Sequence, residues 1–145
     1  MGINKVKQIA GGIAKDVRGQ IRFVNDFDMS EVKRFYIIKN NNTDLVRGWR
    51  GHQIEKRWFY VLSGKFQVDL VLIDNWEEAN KDLPVERVVL KENGLSVLAV
   101  PVGYATAFQA LEEGSELLVF ADYGIDNAKL DDHTWQLDYF VNRLD

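Results

Sequence analysis

Residues 45–66 read LVRGWRGHQIEKRWFYVLSGKF. The stretch holds Arg47, Arg50, His52, Lys56 and Arg57, with two of the four tryptophans, in a chain whose formal net charge is −4. Its second half, Arg57–Leu62, is aromatic and β-branched and ends on Ser63-Gly64, after which a second such run begins. These residue types suit a pleated backbone, and Ser-Gly suits a tight turn, so the stretch predicts strands on either side of a hairpin. Beyond Gly64, Phe66, Val68, Leu70 and Leu72 alternate with Lys65, Gln67, Asp69 and Val71. That is a period of two, with one apolar face and one mixed face.

The same pattern extends outward in both directions. Strands are expected at Gln20–Asn25, Val32–Asn40, Val46–Gly51, Arg57–Leu62, Lys65–Asp74, Glu86–Leu90, Ser96–Val100, Ala105–Leu111 and Leu117–Asp122. Turn chemistry separates them, at Glu92–Gly94 and Glu112–Glu116 among other places. The stretch from Asp131 onward reads either as a helix or as a packed tail anchored by Trp135, Leu137 and Phe140. Short strands at this spacing fit a sandwich or barrel, in which polar residues on inward faces become candidate ligand contacts.

The bulk properties narrow the function. At 145 residues the chain fits one domain, with the barrel over about 17–123 and a tail over 124–145. With 46% apolar residues it has enough material for a core. It has no cysteine, hence neither disulfides nor thiol chemistry. No apolar run is long enough for a signal segment or a membrane span, so a cytoplasmic protein without a membrane partner is expected. The acidic balance argues against nucleic acid as a partner, while leaving room for one local basic pocket.

Three segments, RGWRGH (47–52), FYVLSGKFQVDL (59–70) and VPVGYATAF (100–108), resemble the two signature motifs of the cupin superfamily. The resemblance implies an all-β, cupin-type jelly-roll β-barrel of antiparallel strands with few or no helices. Within that superfamily the chain is similar to the dTDP-4-dehydrorhamnose 3,5-epimerases and the dTDP-4-keto-sugar 3,4-ketoisomerases. Arg47 to His52 is similar to the histidine-bearing strand of both. DVRGQIRFVND (16–26) is similar to the epimerase strand that contacts nucleotide, and Ala121–Tyr123 to a segment after the last barrel strand. The likeness spans roughly residues 12 to 125.

The positions that hold a metal in metal-binding cupins are here Arg50, His52, Arg57 and Thr106. Guanidinium groups have no lone pair to give a cation, and one imidazole is a poor site, so neither a metal nor another cofactor is expected. The epimerase's catalytic His falls on Arg50, its Tyr acid on Leu118 and the second-motif His on Thr106. Of the ketoisomerase pair of histidines only His52 remains.

The resemblance implies a metal-independent epimerase or ketoisomerase that takes a proton from the carbon beside the ketone of a 4-keto nucleotide sugar. On a strand over 46–53, Gly48, Arg50 and His52 share one face, and Arg57 on the next strand can point into the same barrel. Two buried guanidiniums need an anion, which a diphosphate or an enolate supplies. His52 is then the base, with Tyr123 or Tyr104 as acid, or else a histidine that only holds backbone geometry at a strand end. Arg18, Arg47, Trp49, Arg50, Arg57, Asp69 and Thr106 bind substrate, Trp49 or Trp58 by stacking, and Asp69 either orients His52 or pairs with an arginine. The competing reading is a solvated sheet face where Glu55, Asp69 or Glu86 neutralise the arginines. Replacement of the family histidines also leaves open a non-catalytic cupin that binds a nucleotide sugar or other anion. A homodimer is implied by the resemblance, and the strand at Gln20–Asn25 suits an added edge.

Overall fold

A computed structural model describes residues 5–143. The strands are β1 (Lys7–Ile9), β2 (Gly12–Asp16), β3 (Gly19–Phe23), β4 (Arg34–Ile38), β5 (Val46–Gly51), β6 (Arg57–Ser63), β7 (Lys65–Leu72), β8 (Pro84–Lys91), β9 (Val97–Val100), β10 (Tyr104–Ala110), β11 (Glu116–Ala121), β12 (His133–Thr134) and β13 (Asn142–Arg143). Helical structure among the described residues is confined to two 3-10 segments, Glu92–Gly94 and Ile125–Asp131. Every strand expected from the sequence is present, with ends that differ by a few residues. The strands not anticipated are β1, β2, β12 and β13, which are short or lie in polar sequence.

One sheet runs β1-β9-β6-β11-β4, a second runs β12-β5-β10-β7-β8-β13, and β2 and β3 pair as a separate hairpin. Pairing is antiparallel except between β13 and β8. The two large sheets bury their facing sides in one core. Phe59, Val61, Leu98, Leu117 and Val119 from the first pack against Phe66, Val68, Leu70, Leu90 and Phe108 from the second. Phe59 and Phe108 meet across the interface with ring centroids 5.2 Å apart. This is the alternation expected in residues 65–72, with Phe66, Val68 and Leu70 turned inward; it fails at the end of the strand, where Leu72 is 55% exposed and Val71 is buried on the other side.

Ser63-Gly64 is a corner between the sheets and not the expected hairpin, because β6 belongs to one sheet and β7 to the other. Gly64 has φ +76°, and a Cβ there would lie 2.0 Å from the Ser115 hydroxyl. Gly64→Ala is therefore expected to lower stability by about 1–2 kcal/mol from the left-handed backbone alone, and by more from the clash. Denaturant unfolding measures this.

The second sheet has a further apolar layer on its outer side. Trp49, Val71, Val85, Ala105 and Phe140 form it, with Trp76, Trp135 and Tyr139 packed against them. Residues 131–143 are thus the packed tail of the two alternatives. Trp135 and Phe140 act as anchors, but Leu137 is 51% exposed and contributes only its carbonyl, which accepts from Trp49 Nε1 at 3.2 Å. No helix among the described residues is long and apolar enough to cross a membrane.

Candidate functional site

Between the sheets, where β4, β5, β6 and β10 meet the 3-10 segment Ile125–Asp131, lies a cavity of about 1100 Å³. Its walls carry six cationic side chains, Arg34, Lys39, Arg47, Arg50, Arg57 and Lys129, against three carboxylates, Glu55, Asp126 and Asp132. An acidic chain has gathered an excess of positive charge in one concave place, a field that favours anions over cations.

At its floor the charges are buried and paired. Arg57 is 4% exposed, and its Nη2 donates to Thr106 Oγ1 at 2.7 Å. Thr106, fully buried, donates in turn to the Arg50 carbonyl at 3.5 Å. Glu55 Oε2 lies 3.7 Å from Arg57 Nε, and Glu55 Oε1 accepts from Arg34 Nη2 at 3.1 Å. The guanidinium of Arg34 also lies over the Tyr36 ring, 5.2 Å from its centroid. Burial raises the Glu55 carboxyl above its ordinary value, opposed by the charges of Arg57 and Arg34.

His52 stands beside this group. Its Nδ1 lies 2.7 Å from the Asp131 carbonyl oxygen. A carbonyl only accepts, so Nδ1 carries the proton and Nε2 is left with a lone pair. Nε2 lies 3.8 Å from Glu55 Oε2. Burial, and after it the Arg57 charge, push the imidazole down to about 4. His52 is therefore neutral at physiological pH, with the nitrogen that can take a proton on the cavity side.

This has a sign for stability. Between its ordinary value of 6.5 and about 4 the unfolded chain takes a proton that the folded imidazole refuses. The contribution of His52 is therefore complete above 6.5 and is lost as pH falls toward 4. Glu55 acts oppositely, its contribution falling as pH rises through its raised value. Stability is expected to drop between pH 7 and pH 5 by about 2 kcal/mol more in the parent than in His52→Asn. Denaturant titrations of both proteins at the two pH values measure the difference.

Of the residues expected from the sequence, Arg47, Trp49, Arg50, His52, Arg57 and Thr106 border this cavity. Arg50, however, does not join Arg57 inside. Its side chain is 58% exposed at the mouth, where Nε meets Asp132 at 3.0 Å. The expected pair of close, buried guanidiniums is replaced by one buried guanidinium, Arg57, that shares the Glu55 carboxylate with Arg34. Arg47 is tied to Asn40 Oδ1 at 2.7 Å.

Trp49 cannot offer its ring for stacking, because the indole is 2% exposed and packs edge-on against Phe140 on the outer side of the sheet. Trp58 is likewise packed, against Phe27. Asp69 faces that outer side too, salt-bridged to Arg87 at 2.8 Å and Arg143 at 2.6 Å, so it is an arginine partner and not a support for His52. Tyr123 gives its carbonyl to Arg34 Nε at 3.0 Å and is not among the residues lining the cavity. Arg18 lies on the separate hairpin, 85% exposed and paired with Asp16.

The sequence reading missed Arg34, Tyr36 and Asp131. Alternation in Arg34–Ile38, with Arg34, Tyr36 and Ile38 as the inward set, was a signal for the first two. Among the described residues no group of three His, Cys, Asp or Glu side chains is arranged to hold a metal ion.

No curated protein matches the chain in sequence. Solved structures similar to it include a mutant of the 3,4-ketoisomerase QdtA from Thermoanaerobacterium thermosaccharolyticum in complex with TDP-4-keto-6-deoxyglucose. That protein is 22% identical over 91% of this chain and 88% of its own, with a TM-score of 0.68. The rmlC epimerase of Mycobacterium tuberculosis is 18% identical, with 89% and 68% covered and a TM-score of 0.72. NovW, a 4-keto-6-deoxy sugar epimerase from Streptomyces spheroides, is 15% identical, with 94% and 72% covered and a TM-score of 0.74. At such identities the likeness concerns the fold. The family model described as "FdtA: WxcM-like, C-terminal" matches residues 3–142, and the chain belongs to that family.

Proposed function

We propose that the chain is a sugar-nucleotide epimerase or ketoisomerase built on a cupin-type jelly roll, acting on a 4-keto nucleotide sugar without a metal. The observation that carries the reading is His52: buried, neutral, its Nδ1–H spent on a backbone carbonyl, and its Nε2 on a cavity rich in guanidinium groups. A carbon beside a ketone loses its proton to a base of this kind when cations stand by to hold the enolate. Arg57, buried and only partly offset by Glu55, is placed to do that, and the arginines at the mouth suit a diphosphate. Tyr36, on the wall, is the tyrosine positioned to exchange a proton with the sugar. Protonating the enolate carbon from the other face gives an epimer; protonating the former carbonyl carbon instead, while the hydroxyl proton of the neighbouring carbon passes to the old ketone oxygen, moves the ketone.

Arg50 and Thr106 stand where the family's histidines are expected, which favours a second reading, a binder of nucleotide sugars without turnover. Incubation with TDP-linked and UDP-linked 4-keto sugars in heavy water separates the two. Deuterium appearing at C3 or C5 of an epimer, or at C4 of a 3-keto product, supports catalysis, saturable binding without exchange supports the second reading, and neither binding nor exchange removes both.

A further inference from the structure

Asp131 is 1% exposed and does not line the cavity. It nonetheless makes four hydrogen bonds to the segment that carries His52. Its carboxylate accepts from the backbone N–H of Gln53 at 2.8 Å, of Ile54 at 2.9 Å and of Glu55 at 2.8 Å. Its carbonyl oxygen lies 2.7 Å from His52 Nδ1. One buried residue thus holds both ends of the turn between β5 and β6: the imidazole at one end and the main chain of Glu55 at the other. Hydrogen bonds to an ionised carboxylate are among the stronger ones, and three backbone donors on one carboxylate leave it little freedom.

The surroundings fasten Asp131 in turn. Immediately after it β12 pairs with β5, His133 opposite Gly51 and Thr134 opposite Arg50. The pairing continues as Trp49 and Trp135 exchange two backbone hydrogen bonds, at 3.2 and 3.0 Å. Asp132 next to it holds Arg50. The carbonyl that selects the tautomer of His52 is therefore set by a carboxylate locked to the turn on one side and by a strand locked to β5 on the other.

We propose that Asp131 is the positioning residue of the site: by clamping residues 53–55 with its carboxylate it places its own carbonyl on His52 Nδ1, keeping Nε2 unprotonated and turned toward the cavity. It touches no substrate and acts through His52, and its catalytic meaning rests on the proposed role of His52 as base. Without the clamp the imidazole is free to turn over or to place its proton on Nε2, and either change removes the base. The other ionisable groups acting on His52 are Glu55, Arg57 and Asp132, and none of these offers Nδ1 a fixed acceptor.

The test uses nitrogen-15 spectra of the His52 ring in the whole protein, which need no substrate. The parent is expected to show a single tautomer with the proton on Nδ1. In Asp131→Asn, which keeps the shape but cannot accept all three N–H groups, a mixture of tautomers is expected. With a turned-over substrate, kcat should fall roughly 100-fold with KM little changed. A parent tautomer with the proton on Nε2 overturns the proposal, as does Asp131→Asn retaining both the single tautomer and the parent kcat. Where Asp131→Asn does not fold, the tautomer of the parent decides alone. Absence of any turnover in the parent counts against the proposed enzyme, while the spectra still decide whether Asp131 sets the ring.

Discussion

Replacing Glu55 by alanine is expected to lower the unfolding free energy by about 3–5 kcal/mol, the range for breaking a buried ion pair by removing one partner. The Glu55 side chain is 2% exposed and stands between Arg34 and Arg57. Once it is gone, Arg57, at 5% side-chain exposure, retains the Thr106 hydroxyl but has no charge to oppose its own. A protein of this size has about 5–15 kcal/mol in all, so the loss is a large share of the whole. Two controls make the cause legible. The double change Glu55→Leu with Arg57→Met, which removes both charges and keeps the volume, should recover much of the stability. Inorganic pyrophosphate should stabilise Glu55→Ala more than the parent, because an anion in the cavity takes over the missing role. If denaturant unfolding places Glu55→Ala within 1 kcal/mol of the parent, the pair is effectively solvated and the charge argument for the site collapses.

His52→Asn is expected to slow the enolisation step by about 10² to 10⁴, the usual contribution of a positioned base. Asparagine keeps an N–H able to reach the Asp131 carbonyl, so the local fold should survive, but its amide oxygen is far too weak a base to take the proton. Exchange of substrate hydrogen with heavy water is the direct measurement, and substrate affinity is expected to change little because the cations of the wall remain. Exchange at the parent rate in His52→Asn would move the base elsewhere in the cavity and remove His52 from the mechanism.

Much of this architecture could be read from local sequence. The alternation in residues 65–72 placed Phe66, Val68 and Leu70 in one core, and the strands around it follow from the same rule. The basic knot in residues 47–57 marked the cavity. What local sequence does not encode is which sheet a strand joins. Ser-Gly makes a tight reversal equally well within a sheet or at a corner between sheets, and the partners of β6 are β9 and β11, both far along the chain, with Arg57 opposite Val100 and Ala121. The site shows the same limit. Glu55 was visible as a counter-charge to the arginines, but its burial depends on the inward turn of residues 53–55, held by Asp131 from the far end of the chain. Trp49 and Asp69 misled for a related reason. They alternate correctly along their strands, but the outer side of the second sheet is covered by the tail instead of facing solvent.

The span of those Asp131 bonds, 76 to 79 residues, has a meaning on the ribosome. At about 5–20 residues per second, the strand bearing His52 is made roughly 4–16 seconds before the residue that clamps it. During that interval β12 does not yet exist, and the edge of β5 that it later covers stands open. An uncovered edge is a template for pairing with other chains. In the nascent protein, completion of the site and closure of an aggregation-prone edge are therefore the same event, which waits for residues 131–134.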